Sequence, residues 1–174
     1  MARWSGIRHK MESEYLAECL KGHISYFATS YSKCPDHEGR AAILLDGKEI
    51  ISGSYYNNWT KAPLFPVDEK YDERMHIENA FMDDVAIQLG VFDQHCFYEA
   101  FDEFDNQRIE KSLESENMLV RIMAVLDRRV GKRRLMKLLE NMEQEDEAFR
   151  EFLAIRAKFE GLHYGLGRWF GYDT

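Results

Sequence analysis

The chain opens with apolar residues that are spaced three or four positions apart. The residues at this spacing are Trp4, Ile7, Met11 and Tyr15. Such an interval places side chains on one face of an α-helix. Ser5 is a typical capping residue and Gly22 a typical stop, so we predict a helix from Ser5 to about Leu20.

The pattern then changes to stretches that are rich in β-branched and aromatic residues. Residues 23–31 (HISYFATSY), 40–45 (RAAILL) and 48–53 (KEIISG) each predict a strand. Asp46 and Gly47 join the last two stretches, and this dipeptide tolerates the positive φ angles of a tight hairpin turn. We therefore predict three strands, of which the last two form a hairpin.

Residues 54–71 predict a long loop, because two of the three prolines lie there. The loop also contains Tyr55, Tyr56 and Trp59. A loop of this length in a compact domain is either packed by its own side chains or part of a binding surface. We favour packing against the core and keep the three aromatic residues as a candidate binding loop.

Helical spacing dominates from about residue 72 onward. We predict helices at about 72–90, 93–105, 107–114 and 146–160. Asp146 is expected to cap the last helix and Gly161 to end it.

These elements predict one α+β domain over residues 1–174. An N-terminal helix packs on a small antiparallel three-stranded sheet in residues 1–53. The loop at 54–71 follows, and residues 72–174 form a mostly helical C-terminal half with an irregular tail.

Residues 117–142 carry two apolar stripes rather than one. On a helical wheel the two stripes are centred roughly 140° apart, so one straight helix would bury two nearly opposite faces. The first stripe contains Leu119, Ile122, Met123, Leu126 and Val130, and the second contains Leu135, Leu138, Leu139 and Met142. We predict two helices that meet at Gly131, with this glycine in the left-handed conformation that ends the first helix.

Composition favours a soluble cytoplasmic protein. Apolar residues make up 45% of the 174 residues, yet no apolar run reaches the roughly 18 residues of a membrane helix. The N-terminus lacks the apolar core of a signal peptide. Three cysteines, far apart in sequence, do not suggest a disulfide framework.

Charge is segregated along the chain. The formal net charge is −8, and residues 54–117 contain five basic and fifteen acidic side chains. Residues 118–137 contain seven basic side chains and one acidic side chain. The candidate anion-binding or partner-binding residues in this block are Arg128, Arg129, Lys132, Arg133 and Arg134.

Cations at the start of the second predicted helix need a negative group nearby, because the unpaired N–H groups there already present positive potential. That group is internal, with Asp102, Glu103, Asp105 and residues 143–147 as candidates, or it belongs to an acidic protein or anion. We favour internal pairing. Nucleic acid ranks last, since the net charge is adverse and no aromatic residues alternate with the arginines.

No spacing in the chain predicts catalytic or metal chemistry. Cys34 and His37 have the spacing of half a zinc site, but no second pair completes it. We find no nucleophile elbow, phosphate-binding loop or dinucleotide fingerprint. We therefore expect no metal, no cofactor and, on balance, no enzymatic activity.

Several segments resemble a family of small bacterial proteins that carry no assigned function. The resemblance lies in RWSGIRHKMESEY near the start, in LKGHISYFATSY and EGRAAILLDGKEI, and above all in SENMLVRIMAVLDRRVGKRRL. It covers the first fifty residues and roughly 97–160. It implies a bacterial cytosolic protein of α+β architecture and supplies no chemistry.

The function that we expect is a non-enzymatic protein-interaction module, for which a toxin-neutralising immunity protein is one concrete form. Two alternatives stay open. One is a protein or enzyme that binds a small ligand or anion between the sheet and the helices. The other is a nucleic-acid-binding protein that uses the basic cluster at 121–137.

Overall fold

The N-terminal residues form a short helix that widens into a π-helical turn. The computed structural model describes residues 3–31, 33, 39–54, 57 and 82–162. In it, α1 spans Trp4–His9, a π-helical segment spans Lys10–Tyr15 and a 3₁₀ turn spans Glu18–Leu20.

The prediction of one continuous helix from Ser5 to Leu20 is therefore wrong. Arg3 occupies the N-cap position, and Ser5 lies inside the first turn. The helix stops before Leu16 because the Tyr15 carbonyl accepts a hydrogen bond from the Arg128 N–H at 2.8 Å. A tertiary contact thus overrides the local helical preference.

The predicted three-stranded antiparallel sheet is confirmed. Strand β1 spans Ile24–Ser30, β2 spans Gly39–Leu45 and β3 spans Lys48–Ser54, in the order β1-β2-β3. Asp46 and Gly47 have φ angles of 49° and 79°, as a tight hairpin turn requires. A shift in pairing register follows Ile43 on β2.

One face of the sheet packs against helices. The inward side chains alternate along the strands, and Tyr26, Ile43 and Ile51 are buried among them. Gly53 faces Phe92 so closely that a Cβ atom there would lie 2.4 Å from the Phe92 carbonyl oxygen. The opposite face is more open, and Phe27 on β1 is 38% exposed.

The second half of the described chain is mostly helical, as predicted. Its helices are α2 (Asp84–Leu89), α3 (Gln94–Asp105), α4 (Ile109–Leu113), α5 (Met118–Leu126), α6 (Lys132–Glu140) and α7 (Glu147–Phe159). This arrangement establishes the α+β class. None of these described helices combines the length and apolar character needed to cross a bilayer. The predicted helix at 72–90 is wrong at its start, because the Asp83 carboxylate accepts the Ala86 N–H and caps a helix that begins at Asp84; residues 72–81 lie outside the described residues.

Helix boundaries follow capping residues. Asp93 begins α3, and its carboxylate accepts hydrogen bonds from the first-turn N–H groups of His95 and Cys96. Gly161, with φ of 70°, follows the end of α7 as predicted. Asp146 stands at the N-cap of α7 but makes no capping bond, and Asp84 accepts the Ala148 N–H at 2.7 Å instead.

Helix α5 is the centre of the core. All of its residues except Arg121 are buried, and it contacts α2, α3, α4 and α7. A helix that is apolar on almost every side requires neighbours all around it. The turn that follows α5 is therefore held among packed elements.

The contact between Gly53 and Phe92 predicts the effect of adding one methyl group to β3. Gly53→Ala is expected to lower the free energy of unfolding by about 1–3 kcal/mol, because the new Cβ meets backbone. Gly6→Ala is the matched control: nothing lies within 4 Å of its added Cβ, and alanine favours helix α1. Urea denaturation measures both, and equal effects would contradict the packing described here.

Candidate functional site

The basic block forms two helices separated by a short turn, as predicted, but Gly131 has a different role. Helix α5 ends at Leu126 and α6 begins at Lys132. Gly131 is the N-cap of α6 with φ of −77° and ψ of 166°, so its predicted left-handed conformation is wrong. Asp127 ends α5 instead, because its carboxylate accepts the Arg129 N–H at 2.6 Å and stabilises a turn.

Arg156 of α7 anchors this turn from the inside. Its side chain is 2% exposed and donates hydrogen bonds to the carbonyl oxygens of Leu126 at 3.2 Å and Val130 at 3.1 Å. It also pairs with Glu160 at 2.8 Å. The last carbonyl groups of a helix have no hydrogen-bond donor within the helix, and the Arg156 guanidinium supplies donors here.

The charge state of Arg156 is consistent with this role. Burial lowers the pKa of its guanidinium, and the nearby acidic groups of Cys19, Glu160 and Asp127 offset part of that shift. Arginine starts from a pKa so high that the side chain stays charged at neutral pH. The turn is thus built around a permanent buried cation.

The N-terminal segment pairs with the same turn. The Ala17 N–H donates to the Leu126 carbonyl at 3.0 Å, and the Arg128 N–H donates to the Tyr15 carbonyl at 2.8 Å. Leu16 and Asp127 form an antiparallel bridge between these bonds. We call residues 126–131, together with residues 15–17 that pair with them, the α5–α6 corner.

Arg129 pairs with a buried carboxylate at the corner, although 36% of its own side chain is exposed. Its Nε and Nη2 atoms donate to the Asp127 Oδ2 atom at 3.0 and 2.8 Å, and the Asp127 side chain is fully buried. Its guanidinium also lies 4.8 Å from the Tyr15 ring centroid and 5.3 Å from that of Phe104. The hydrogen bonds that Arg129 donates to Asp127 raise the pKa of its guanidinium, although partial burial lowers it. Arg129 therefore stabilises the corner.

A second polar cluster adjoins Arg129. Lys10 Nζ lies 2.6 Å from Asp105 Oδ1, and the Tyr15 hydroxyl donates to the same carboxylate. Burial alone would raise the pKa of Asp105, but hydrogen bonds from Lys10 and Tyr15 outweigh it and hold the pKa below its usual value. Burial also raises the pKa of Tyr15. The Tyr15 phenol therefore stays neutral and donates to the Asp105 carboxylate, which Lys10 also contacts. These contacts give the cluster a structural role.

Two more of the predicted cations have partners within the chain. Arg134 Nη2 lies 2.6 Å from Glu110 Oε1, and Lys132 Nζ lies 3.9 Å from Glu160 Oε2. The internal partners that we predicted, residues 102–105 and 143–147, are not the ones that these two cations contact. Glu145 pairs with Arg121 instead.

Arg128 and Arg133 remain exposed. Their side chains form no hydrogen bond or ion pair with any residue that the structure describes. Lys132 is 65% exposed beside them, and Met136 is 46% exposed one turn further along α6. We call Arg128, Lys132, Arg133 and Met136 the basic patch.

A family model supports the relationship that the sequence segments suggested. The model of the SF0329 protein family matches residues 3–157. The chain belongs to the SF0329 family. The match includes the α5–α6 corner and the basic patch. No curated protein and no solved structure matches the chain.

Two sets of residues singled out in this SF0329-family sequence lie outside the described residues. These are the candidate aromatic loop of Tyr55, Tyr56 and Trp59, and the pair formed by Cys34 and His37. Their roles stay predictions.

Sequence reasoning missed Arg156, although the chain holds a signal for it. Phe149, Phe152 and Leu153 are buried on α7, and Arg156 lies seven, four and three residues after them. This spacing places an arginine on the apolar face of the helix. A charged residue at such a position requires buried hydrogen-bond acceptors, and the end of α5 provides them.

Loss of this anchor in the SF0329-family chain is expected to be costly. Arg156→Met keeps the length of the side chain but removes the hydrogen bonds to the Leu126 and Val130 carbonyls, and the Leu126 carbonyl then keeps only the Ala17 N–H as a donor. We expect the free energy of unfolding to fall by about 3–5 kcal/mol in urea denaturation, since a buried ionic network loses its central cation.

Arg133→Met is the matched control for that experiment. Arg133 is exposed, so its replacement is expected to change stability by less than about 0.5 kcal/mol. Similar stabilities for the two variants would show that Arg156 does not anchor the corner.

Proposed function

We propose that this SF0329-family protein is a non-enzymatic interaction module whose basic patch binds an acidic surface of another protein. The observation that supports the proposal is the division of the basic block. Arg129 and Arg134 are engaged by carboxylates of the chain, whereas Arg128 and Arg133 are exposed and have no side-chain partner among the described residues.

The ion pair of Lys132 is weak enough to leave this residue available. Its Nζ atom lies 3.9 Å from Glu160, and the lysine side chain is 65% exposed. Exposed pairs of this kind contribute about 0–1 kcal/mol, because solvent screens them. A partner carboxylate that approaches Lys132 therefore displaces little.

Met136 gives the patch an apolar contact surface. It lies three residues after Arg133 on α6, so the two side chains share one face of the helix. Methionine and arginine are enriched in protein interfaces, and methionine adapts to irregular partner surfaces. A protein surface that combines carboxylates with an apolar group matches this chemistry.

The patch is also preorganised. Leu135 and Leu139 bury the opposite face of α6, and the α5–α6 corner fixes the start of the helix. A rigid backbone reduces the entropy that association costs. A preformed helix with exposed cations therefore suits a binding surface better than a catalytic one.

Charge favours protein over nucleic acid as the partner. The chain has a net charge of −8, and a polyanion meets repulsion from the acidic remainder of the molecule. The patch contributes three cations, which release few counterions from a nucleic acid. A protein partner needs only a local acidic surface, and a toxin bound by an immunity protein is one example of such a partner.

Charge reversal in the patch tests the proposal directly. We expect the protein to bind a fluorescein-labelled peptide of alternating Glu and Leu residues, with an affinity that falls as salt rises. Arg133→Glu is expected to weaken binding about tenfold or more in fluorescence anisotropy and to leave the melting temperature nearly unchanged.

Lys111→Glu is the control for net charge, because Lys111 is exposed on α4 and lies outside the patch. It should leave peptide binding nearly intact. Equal loss in both variants, or absence of binding by the unmodified protein, contradicts the proposal. Tighter, Arg133-dependent binding of duplex DNA in the same assay would instead establish a nucleic-acid function.

A further inference from the structure

A cleft of about 550 Å³ lies between α4 and α6. A volume of about 300–1,000 Å³ is typical of small-molecule sites. The lining residues that matter for the argument are Glu110, Leu113, Glu114, Arg134, Lys137 and Leu138. Helix α4 and its C-cap supply the acidic residues of this set, and α6 supplies the basic ones.

Both helices place two charged residues, about one helical turn apart, along the cleft. Glu110 and Glu114 are four residues apart at α4, and Arg134 and Lys137 are three residues apart on α6. Residues at these spacings share one face of a helix. The cleft is therefore bordered by two acidic side chains at α4 and two basic side chains on α6.

Two of these four charged residues form an ion pair with each other, and the other two do not. Arg134 and Glu110 meet at 2.6 Å. Glu114 and Lys137 line the same cleft, but neither side chain forms an ion pair or hydrogen bond with any residue in the described parts of the chain. Both side chains are exposed to solvent.

Two leucines and a second ion pair also line the cleft. Leu113 is buried and Leu138 is half-buried, and both line the cleft. Arg121 donates to the Leu113 carbonyl at 3.1 Å and pairs with Glu145 at 2.5 Å. Arg121 and Glu145 are therefore already paired, so Glu114 and Lys137 are the charged residues that can contact a ligand.

We propose that this cleft binds a small zwitterion with an apolar side chain, of the class of a free aliphatic α-amino acid. The ligand ammonium group contacts Glu114, its carboxylate contacts Lys137, and its side chain packs on Leu113 and Leu138. One molecule then supplies the two charges that the cleft leaves unmatched. Binding is non-covalent and independent of the basic patch.

Titration of the unmodified protein with L-leucine, followed by isothermal calorimetry and by NMR chemical shifts, tests this site. We expect saturable binding with a dissociation constant below about 1 mM. N-acetyl-leucine lacks the ammonium charge and leucinamide lacks the carboxylate, so each should bind about tenfold more weakly. Leucyl-leucine, whose charged ends lie further apart, should also bind more weakly.

Variants assign the contacts to residues. Glu114→Gln should weaken leucine binding about tenfold and leave N-acetyl-leucine binding nearly unchanged, so that the preference between these two ligands is lost. Lys137→Gln should abolish the preference for leucine over leucinamide in the same way. Lys111→Gln is the matched control, because Lys111 lies on α4 but does not line this cleft. All three positions are exposed, so folding should be unaffected.

The outcomes separate this site from the proposed function. Leucine binding that is unchanged in Arg133→Glu and lost in Glu114→Gln supports the proposed ligand site in the cleft. This result does not depend on what the basic patch binds. No saturable binding of leucine at about 10 mM, or equal affinity for leucine and both derivatives, overturns the inference. Tighter binding of leucyl-leucine than of leucine also overturns it.

Discussion

The buried guanidinium of Arg156 is the interaction on which the rest of the structure depends. It satisfies carbonyl groups at the end of α5 and in the following turn, and it is balanced by Glu160 and, at longer range, by Asp127. Removing a cation from water is costly unless its hydrogen bonds are satisfied. The geometry of the α5–α6 corner is therefore narrowly constrained, because a different turn would remove the two carbonyl acceptors of the guanidinium and leave it with Glu160 alone.

This constraint explains why an acidic chain carries a concentrated basic block. The corner engages Arg129 with a buried carboxylate and orients α6 so that Arg134 meets Glu110. The same orientation directs Arg128 and Arg133 to solvent. One block of sequence thus serves both stability and, in our proposal, recognition. Its two parts differ in whether a carboxylate among the described residues pairs with the cation, rather than in residue type.

Local signals predicted much of the fold. Asp46 and Gly47 marked the hairpin, and two apolar stripes marked the break after α5. The end of the first helix was not predictable in this way, because a hydrogen bond from the distant Arg128 accompanies it. Gly131 was assigned the wrong conformation because Asp127, rather than this glycine, ends α5. The partners of Arg134 and Lys132 lie 24 and 28 positions away, and spacing along the chain does not reveal which helices meet. The cleft between α4 and α6 depends on the same packing.

Amide hydrogen exchange tests the role of the corner most directly. In the unmodified protein, the N–H groups of Ala17 and Arg128 should be protected, since both donate hydrogen bonds at the corner. In Arg156→Met, their exchange should accelerate by a larger factor than that of sheet amides such as Ile43. Equal acceleration at all three amides, or unchanged protection at Ala17 and Arg128, would contradict the claim that Arg156 holds the corner together.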